Sequence, residues 1–291
     1  MKQFKPYLRW IIVGATVFFL LKTLKNNWQE VTHVTLEPQG WSYLAIALLV
    51  TLLAHIWSGL VWGLILRTFQ QPLTWFWALR VYLTTNVAKY LPGNIWHFYG
   101  RINAVVKAGG NAPVATVTVL LEPLLMASAA LLMAIFSGSG KIWLQLLGLI
   151  GVLIAIHPWF LNRLIRYLSR LKGNYTEVTV KSYPWQLLLG EWGFVFLRGI
   201  GFVMVVAAFT PIILAQVPYL LSVFSLAWLL GLIVPGAPGG LGVFEATAIA
   251  ALNSSQFPYA MVLAIVAVFR LISILAEAIA ALLAAISFKP N

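Results

Sequence analysis

From Trp41 to Leu66 the chain runs without a single Lys, Arg, Asp or Glu, and five further stretches are almost as apolar: Val114 to Ser137, Ile142 to Leu161, Trp185 to Phe209, Tyr219 to Val234 and Tyr259 to Phe288. A helix needs about 20 such residues to cross a hydrocarbon layer about 30 Å thick, at about 1.5 Å per residue. This repetition of spanning-length segments constrains the fold more than any motif, and it reads as an all-α polytopic membrane protein. Composition agrees: 61% of the 291 residues are hydrophobic and 9% charged, where a soluble domain carries about 25% charged. No stretch between the segments is long enough to bury a separate core, so residues 1–291 are read as a single integral membrane domain without a soluble one.

A shorter segment, Trp10 to Leu21, lies uncharged between Arg9 and Lys22. Its basic flank is like that of a signal peptide, but the residues from Lys22 to Trp28 hold no small-x-small cleavage site, and it is read as a retained first span. The expected total is about seven transmembrane helices, within a range of six to eight. Orientation follows from the basic residues. With the N-terminus cytoplasmic, that side receives Lys2, Lys5, Arg9, Arg67, Arg80, Lys89, Arg101, Lys107, Arg163, Arg166, Arg170, Lys172 and Lys181; the other receives Lys22, Lys25 and Lys141, with Lys289 at the end. The same bias explains the pI of 10.1 and net charge of +12 without nucleic acid.

Two segments are apolar but broken. The first, between Arg67 and Pro113, centres on Lys89-Tyr90-Leu91-Pro92-Gly93-Asn94-Ile95-Trp96 and runs on to Arg101. Proline interrupts the helical ladder, glycine permits a sharp turn, and Asn94 can cap a helix starting at Ile95. The second, Val234 to Glu245, packs two prolines and four glycines into residues 235–242 and is followed by a short helix, Val243 to Leu252. Irregular backbone at membrane depth survives only under protein or beside a water-filled cavity. Both are read as re-entrant or broken half-helix segments. Pro92 and Pro238 stand 146 residues apart, about half the chain. Paired breaks at corresponding positions point to a transporter built of repeats with its site between them, here an inverted repeat with halves of about 1–145 and 146–291.

The candidate headgroup-binding residues are therefore Lys89, Pro92, Gly93, Asn94, Trp96 and Arg101 at the first break and Pro238, Gly239, Gly240, Gly242 and Glu245 at the second. Lys89 and Arg101 suit a phosphate, and Glu245 a cationic group or a proton, although a carboxylate in a first helical turn also simply complements the helix dipole. Buried charge is expected of Glu122, Glu191, Arg198, Arg270 and Glu277, which fall within apolar segments at a cost of at least about 2.5–3.5 kcal/mol each. Glu191 and Arg198 are seven residues apart, as are Arg270 and Glu277, so each pair shares a helix face. If one full span separates the two helices, they run in the same direction and Glu191 meets Arg270 while Arg198 meets Glu277.

Gly240-x-Gly242 lacks the third glycine and preceding strand of a nucleotide fingerprint, and Gly138-Ser139-Gly140-Lys141 lacks the upstream glycine of a P-loop. His55 and His97 have no metal-ligand spacing and are read as interfacial hydrogen-bonding groups, as most of the 13 tryptophans are read as interface anchors. No cysteine and no aspartate occur. No catalytic constellation, metal or cofactor is expected.

Residues 89–96 and the run Pro238-Gly239-Gly240-Leu241-Gly242-Val243-Phe244-Glu245, at this separation in about 300 apolar residues, resemble the flippase-like membrane domain of the lysylphosphatidylglycerol synthase family, which includes the multiple peptide resistance factors. The resemblance covers nearly the whole chain. It implies a bacterial plasma-membrane protein that moves or handles a phospholipid or similar polar lipid: an anionic or aminoacylated phospholipid, or a polyprenyl-linked lipid. The chain ends at Asn291, directly after the last span, so the aminoacyl transferase of fused family members is not expected with it. Beside a lipid translocase, two readings stay open: a non-transporting partner subunit of a cell-envelope lipid or glycosyl transfer system, and a membrane-embedded lipid-modifying enzyme. Oligomerisation is compatible with this reading.

Overall fold

The computed structural model describes residues 38–91, 95–135, 142–171, 178–234, 238–240, 242–252 and 257–287. The expected first span Trp10 to Leu21 lies outside the described residues, as do Pro92, Gly93 and Asn94. Ten α-helices follow in order: α1 Pro38–Thr68, α2 Trp75–Asn86, α3 Trp96–Lys107, α4 Ala112–Ile135, α5 Ile142–Ala155, α6 Pro158–Leu171, α7 Trp185–Phe209, α8 Val217–Ile233, α9 Val243–Leu252 and α10 Tyr259–Ser287. Five helical stretches are long and apolar enough to span a membrane, or six if α5 and α6 form one bent span. The protein is an all-α, multi-pass membrane protein.

The boundaries follow local chemistry. The Thr74 hydroxyl caps α2 by accepting from the Trp77 amide, and Asn111 caps α4 through the Val114 amide at 3.2 Å. The segment expected as one span from Ile142 to Leu161 ends early. A bend of 55° separates α5 from α6, because Pro158 opens a new helix and cannot continue the old ladder. Helix α6 carries Arg163, Arg166 and Arg170 on one side and buries Leu161 and Ile165 on the other.

Both broken segments are helical hairpins. At the second, Tyr219 near the start of α8 donates to the Ala251 carbonyl near the end of α9 at 2.5 Å, and Gly231 lies against Gly240. A side chain added at Gly240 would come within 3.0 Å of Gly231 backbone, and Gly239, Gly240 and Gly242 all have positive φ, which explains this glycine-rich run. At the first, Gly100 of α3 packs on Thr85 of α2. A short 3-10 turn, Val87–Tyr90, ends α2, and α3 begins at Trp96 with no side-chain cap at Ile95.

These elements form an inverted repeat. Helices α1, α3 and α4 begin 147 residues before α7, α9 and α10 (185 − 38, 243 − 96, 259 − 112). Exchanging α1 with α7, α2 with α8, α3 with α9 and α4 with α10 carries the main helix–helix packing pattern onto itself: α1–α2 becomes α7–α8, α2–α10 becomes α8–α4, α1–α10 becomes α7–α4, and α3–α4 becomes α9–α10. The central pair α1–α7 maps onto itself, and it runs antiparallel: Gly201 lies against Thr51, Gly193 against Trp57 and Gly190 against Val61. An antiparallel central pair makes the two halves inverted rather than merely duplicated.

Two apolar clusters stack along the bundle. One holds Ala47, Met133, Phe202, Leu220 and Leu252; the other holds Leu66, Val114, Ile165, Leu187 and Ala284. Arg163, Arg166 and Arg170 on α6, and Arg67, Lys107 and Lys181 at helix ends and connections, lie beside the second cluster. Trp62 is fully buried in that cluster, unlike the exposed Trp41, Trp143, Trp159 and Trp185, so the expectation of interfacial tryptophans fails there.

Candidate functional site

The two breaks meet at the centre of the bundle. A Cβ added at Gly239 would come within 2.6 Å of the Tyr90 ring, so the tip of one hairpin rests on the tip of the other. Beside this contact opens a cavity of about 390 Å³, bordered by Lys89, Tyr90, Arg198, Gly239, Gly240, Arg270 and Glu277. A smaller chamber of about 90 Å³ adjoins it, bordered by His55, Tyr82, Arg101 and Glu122. Lys89, His97, Pro123 and Arg198 are among the residues that border both, so the two spaces adjoin along a route of polar groups within an apolar bundle.

The charges pair differently from the expectation of Glu191 with Arg270 and Arg198 with Glu277. Arg270 instead binds Glu245 through Nε and donates to the carbonyls of Gly239 at 3.0 Å and Gly240 at 2.8 Å. Glu277 accepts from Lys89 Nζ at 2.7 Å, and His55 Nε2 lies 3.2 Å from the same oxygen. The physical reason is direction. Because α8, the break and α9 enter and leave on one side, α10 runs antiparallel to α7. Phe202 thus packs on Phe269 and Arg198 Nη1 donates to Ser273 at 3.1 Å, which sets neither arginine opposite the expected carboxylate.

Two proposed headgroup ligands are already engaged. Arg101 is 1% exposed, binds Glu122, and lies 3.9 Å over the Tyr82 ring; it is a buried structural cation rather than a surface phosphate ligand. Glu245 receives Arg270 on one oxygen and the Gly242 amide on the other at 2.6 Å. That second bond is one half of a capping box, and with Arg270 it supplies partners to irregular backbone that lipid could not. Trp96 is exposed and meets Tyr99 edge-on; it borders neither cavity. Of the breaks' candidate residues, Lys89, Gly239 and Gly240 line the larger cavity. Gly242 takes the N-terminal position of α9, and Pro238 opens the turn before it.

His55 and His97 are buried inside the bundle rather than interfacial. Pro123, within α4, belongs to no sequence motif; it removes one backbone donor beside the cavity, where a helix can tolerate the loss. Tyr82, Phe98 and Trp228 also line the route, and only their neighbourhood, not any spacing, marks them.

Two charged groups on α7 form no ion pair among the described residues. Arg198 is 4% exposed, and its Nε has no hydrogen-bond partner. No carboxylate forms an ion pair with it among the described residues. Glu191 is fully buried, and neither oxygen has a hydrogen-bond partner among the described residues. No family model matches the chain, and no curated protein matches it.

Proposed function

We propose that the protein moves a lipid with an anionic headgroup between the leaflets of a bacterial plasma membrane, with its N-terminus in the cytoplasm. The observation that carries this reading is Arg198. A buried cation without an ion pair is costly; the carboxylate whose charge reaches this one is Glu277, which Lys89 already binds, and it borders a cavity between two irregular backbone segments, lined also by Lys89, Arg270 and Glu277. Lys89, Arg198 and Arg270 stand against Glu277 in that lining and Glu245 behind Arg270, so one positive charge is left over for a ligand phosphate. The apolar share of the same wall, with Leu124, Trp228, Phe244 and Phe269, suits the glycerol and acyl part. Arg101 and Glu245 serve this function by holding the hairpins, not by touching the lipid. The likeness of residues 89–96 and 238–245 to the flippase-like domain of the lysylphosphatidylglycerol synthase family points to the same substrate class. The basic residues gathered beside one apolar cluster support the orientation.

Purified protein in vesicles holding fluorescent phosphatidylglycerol tests this. It should bring inner-leaflet label within reach of an impermeant quencher, and Arg198→Gln should reduce the rate at least about tenfold, the effect of about 1.4 kcal/mol in a barrier, while melting like the parent. No movement by the parent protein sinks the reading. Movement that needs a co-purified enzyme favours a partner subunit instead.

A further inference from the structure

We infer that Glu191 is a proton-binding site coupled to the anion site at Arg198, so that the proton and the anionic headgroup bind together. This rests on the function proposed for Arg198.

A carboxylate within the bundle needs a cation or several donors. Glu191 has neither: it is fully buried and both oxygens lack hydrogen-bond partners among the described residues. The charged groups facing it are Glu122 and Arg101, and that single arginine is already committed to Glu122. One cation thus stands among two carboxyls, and the cluster is neutral only when Glu191 holds a proton. Of the other titratable groups on helices packed against α7, Tyr43, Arg67, Tyr219 and Tyr259 lie toward helix ends, while His55 of α1 and Arg270 and Glu277 of α10 lie within the bundle, the last two paired elsewhere; Tyr82 of α2 also senses Glu191. Glu122 and Arg101, which face Glu191, line the small chamber together with Tyr82, whose hydroxyl shares a hydrogen bond of 2.6 Å with that of Ser58, so polar groups stand between Glu191 and that chamber.

Arg198 lies two helical turns along α7, about 10 Å away. Its charge, only partly offset by Glu277, stabilises the Glu191 carboxylate across that distance and so weakens proton binding. An anion on Arg198 cancels that charge, and Glu191 then holds its proton more tightly. Linkage is reciprocal, so a protonated Glu191 strengthens anion binding by the same factor. Affinity for an anionic lipid therefore rises as pH falls. Glu191→Gln, a permanently neutral side chain of the same shape, holds the high-affinity state at every pH.

The test is binding of dihexanoyl phosphatidylglycerol to the purified full chain in detergent, read by tryptophan fluorescence at about pH 6 and about pH 9. Dihexanoyl phosphatidylcholine is the neutral comparison and inorganic phosphate the free anion. The parent should bind phosphatidylglycerol at least about fivefold more tightly at the lower pH, the lower end of measured couplings. Glu191→Gln should bind equally at both, at the parent's low-pH affinity. A flat parent profile, or the same slope in Glu191→Gln, overturns the inference and assigns any dependence to His55, His97, Glu122 or Glu277. Phosphate competing as well as the lipid identifies the free anion as the coupled ligand. If no anion binds, the function proposed for Arg198 fails by itself. Infrared spectra then decide Glu191: a protonated-carboxyl carbonyl band that titrates with pH and disappears in Glu191→Gln supports the proton site, and its absence from the parent overturns it.

Discussion

In the first repeat the arginine stands on the half-helix and the glutamate on the span behind it, Arg101 against Glu122; in the second the order is reversed, Glu245 against Arg270. The same junction, α3 with α4 and α9 with α10, is thus closed by the same chemical pair in opposite polarity. Symmetry of the fold requires that each hairpin be tied to its following span, and it is indifferent to which side contributes the cation. The two junctions nevertheless differ in use. The first pair is enclosed, with side chains 1% and 4% exposed, and the second borders the cavity at 11% and 20%. Arg270 also satisfies the carbonyls of its own break, whereas the first break sends Lys89 across the interface to Glu277 of the other repeat. The second break is therefore closed within its own repeat, and the first is tied across to the other repeat as well.

Burial should rank the consequences of breaking these ties. Arg101→Leu leaves Glu122 unpaired beside Glu191 and should lose about 3–5 kcal/mol, read as a collapse of the melting transition or of yield in detergent. Arg270→Leu should cost less, about 2–3 kcal/mol by the same accounting, since Glu245 keeps the Gly242 amide and the cavity admits water. A larger loss at Arg270 than at Arg101 would break the comparison. Gly239→Ala places a Cβ at a φ of +58° and against Tyr90; it should cost about 1–3 kcal/mol and separate the two tips, slowing lipid movement beyond its effect on melting. Smallest of all, Glu245→Gln keeps an acceptor for the Gly242 amide and should shift stability by about 0.5–1 kcal/mol. A shift as large as that of Arg270→Leu would show that the carboxylate charge, not the cap, holds the second junction.

Much of the helical framework is legible along the chain. Helix α7 is bounded as its apolar run is, by Trp185 and Phe209, and α9 spans Val243 to Leu252 because the glycine run ends just before it. The breaks are legible because proline and positive-φ glycine leave a chemical mark. Their consequence is less so. Helix α8, 17 residues long, has the length of a span, and nothing in its composition says that the chain turns back after it. That one ambiguity reverses α10 relative to α7 and exchanges every partner predicted for Glu191, Arg198, Arg270 and Glu277. The engagement of Arg101 by Glu122 and of Glu245 by Arg270 is equally invisible to spacing, because each pair joins two helices.

Sequence alone determined that the chain lies in a membrane, where its helices break, and which charges sit among apolar neighbours, since transfer from water and backbone geometry act residue by residue. Tertiary structure alone decided which of those charges are neutralised and which are left over. Pairing depends on the relative direction and register of helices, and a period of 3.6 residues marks only the face of each. Arg198 and Glu191 stand out as sites only once every other partner has been assigned.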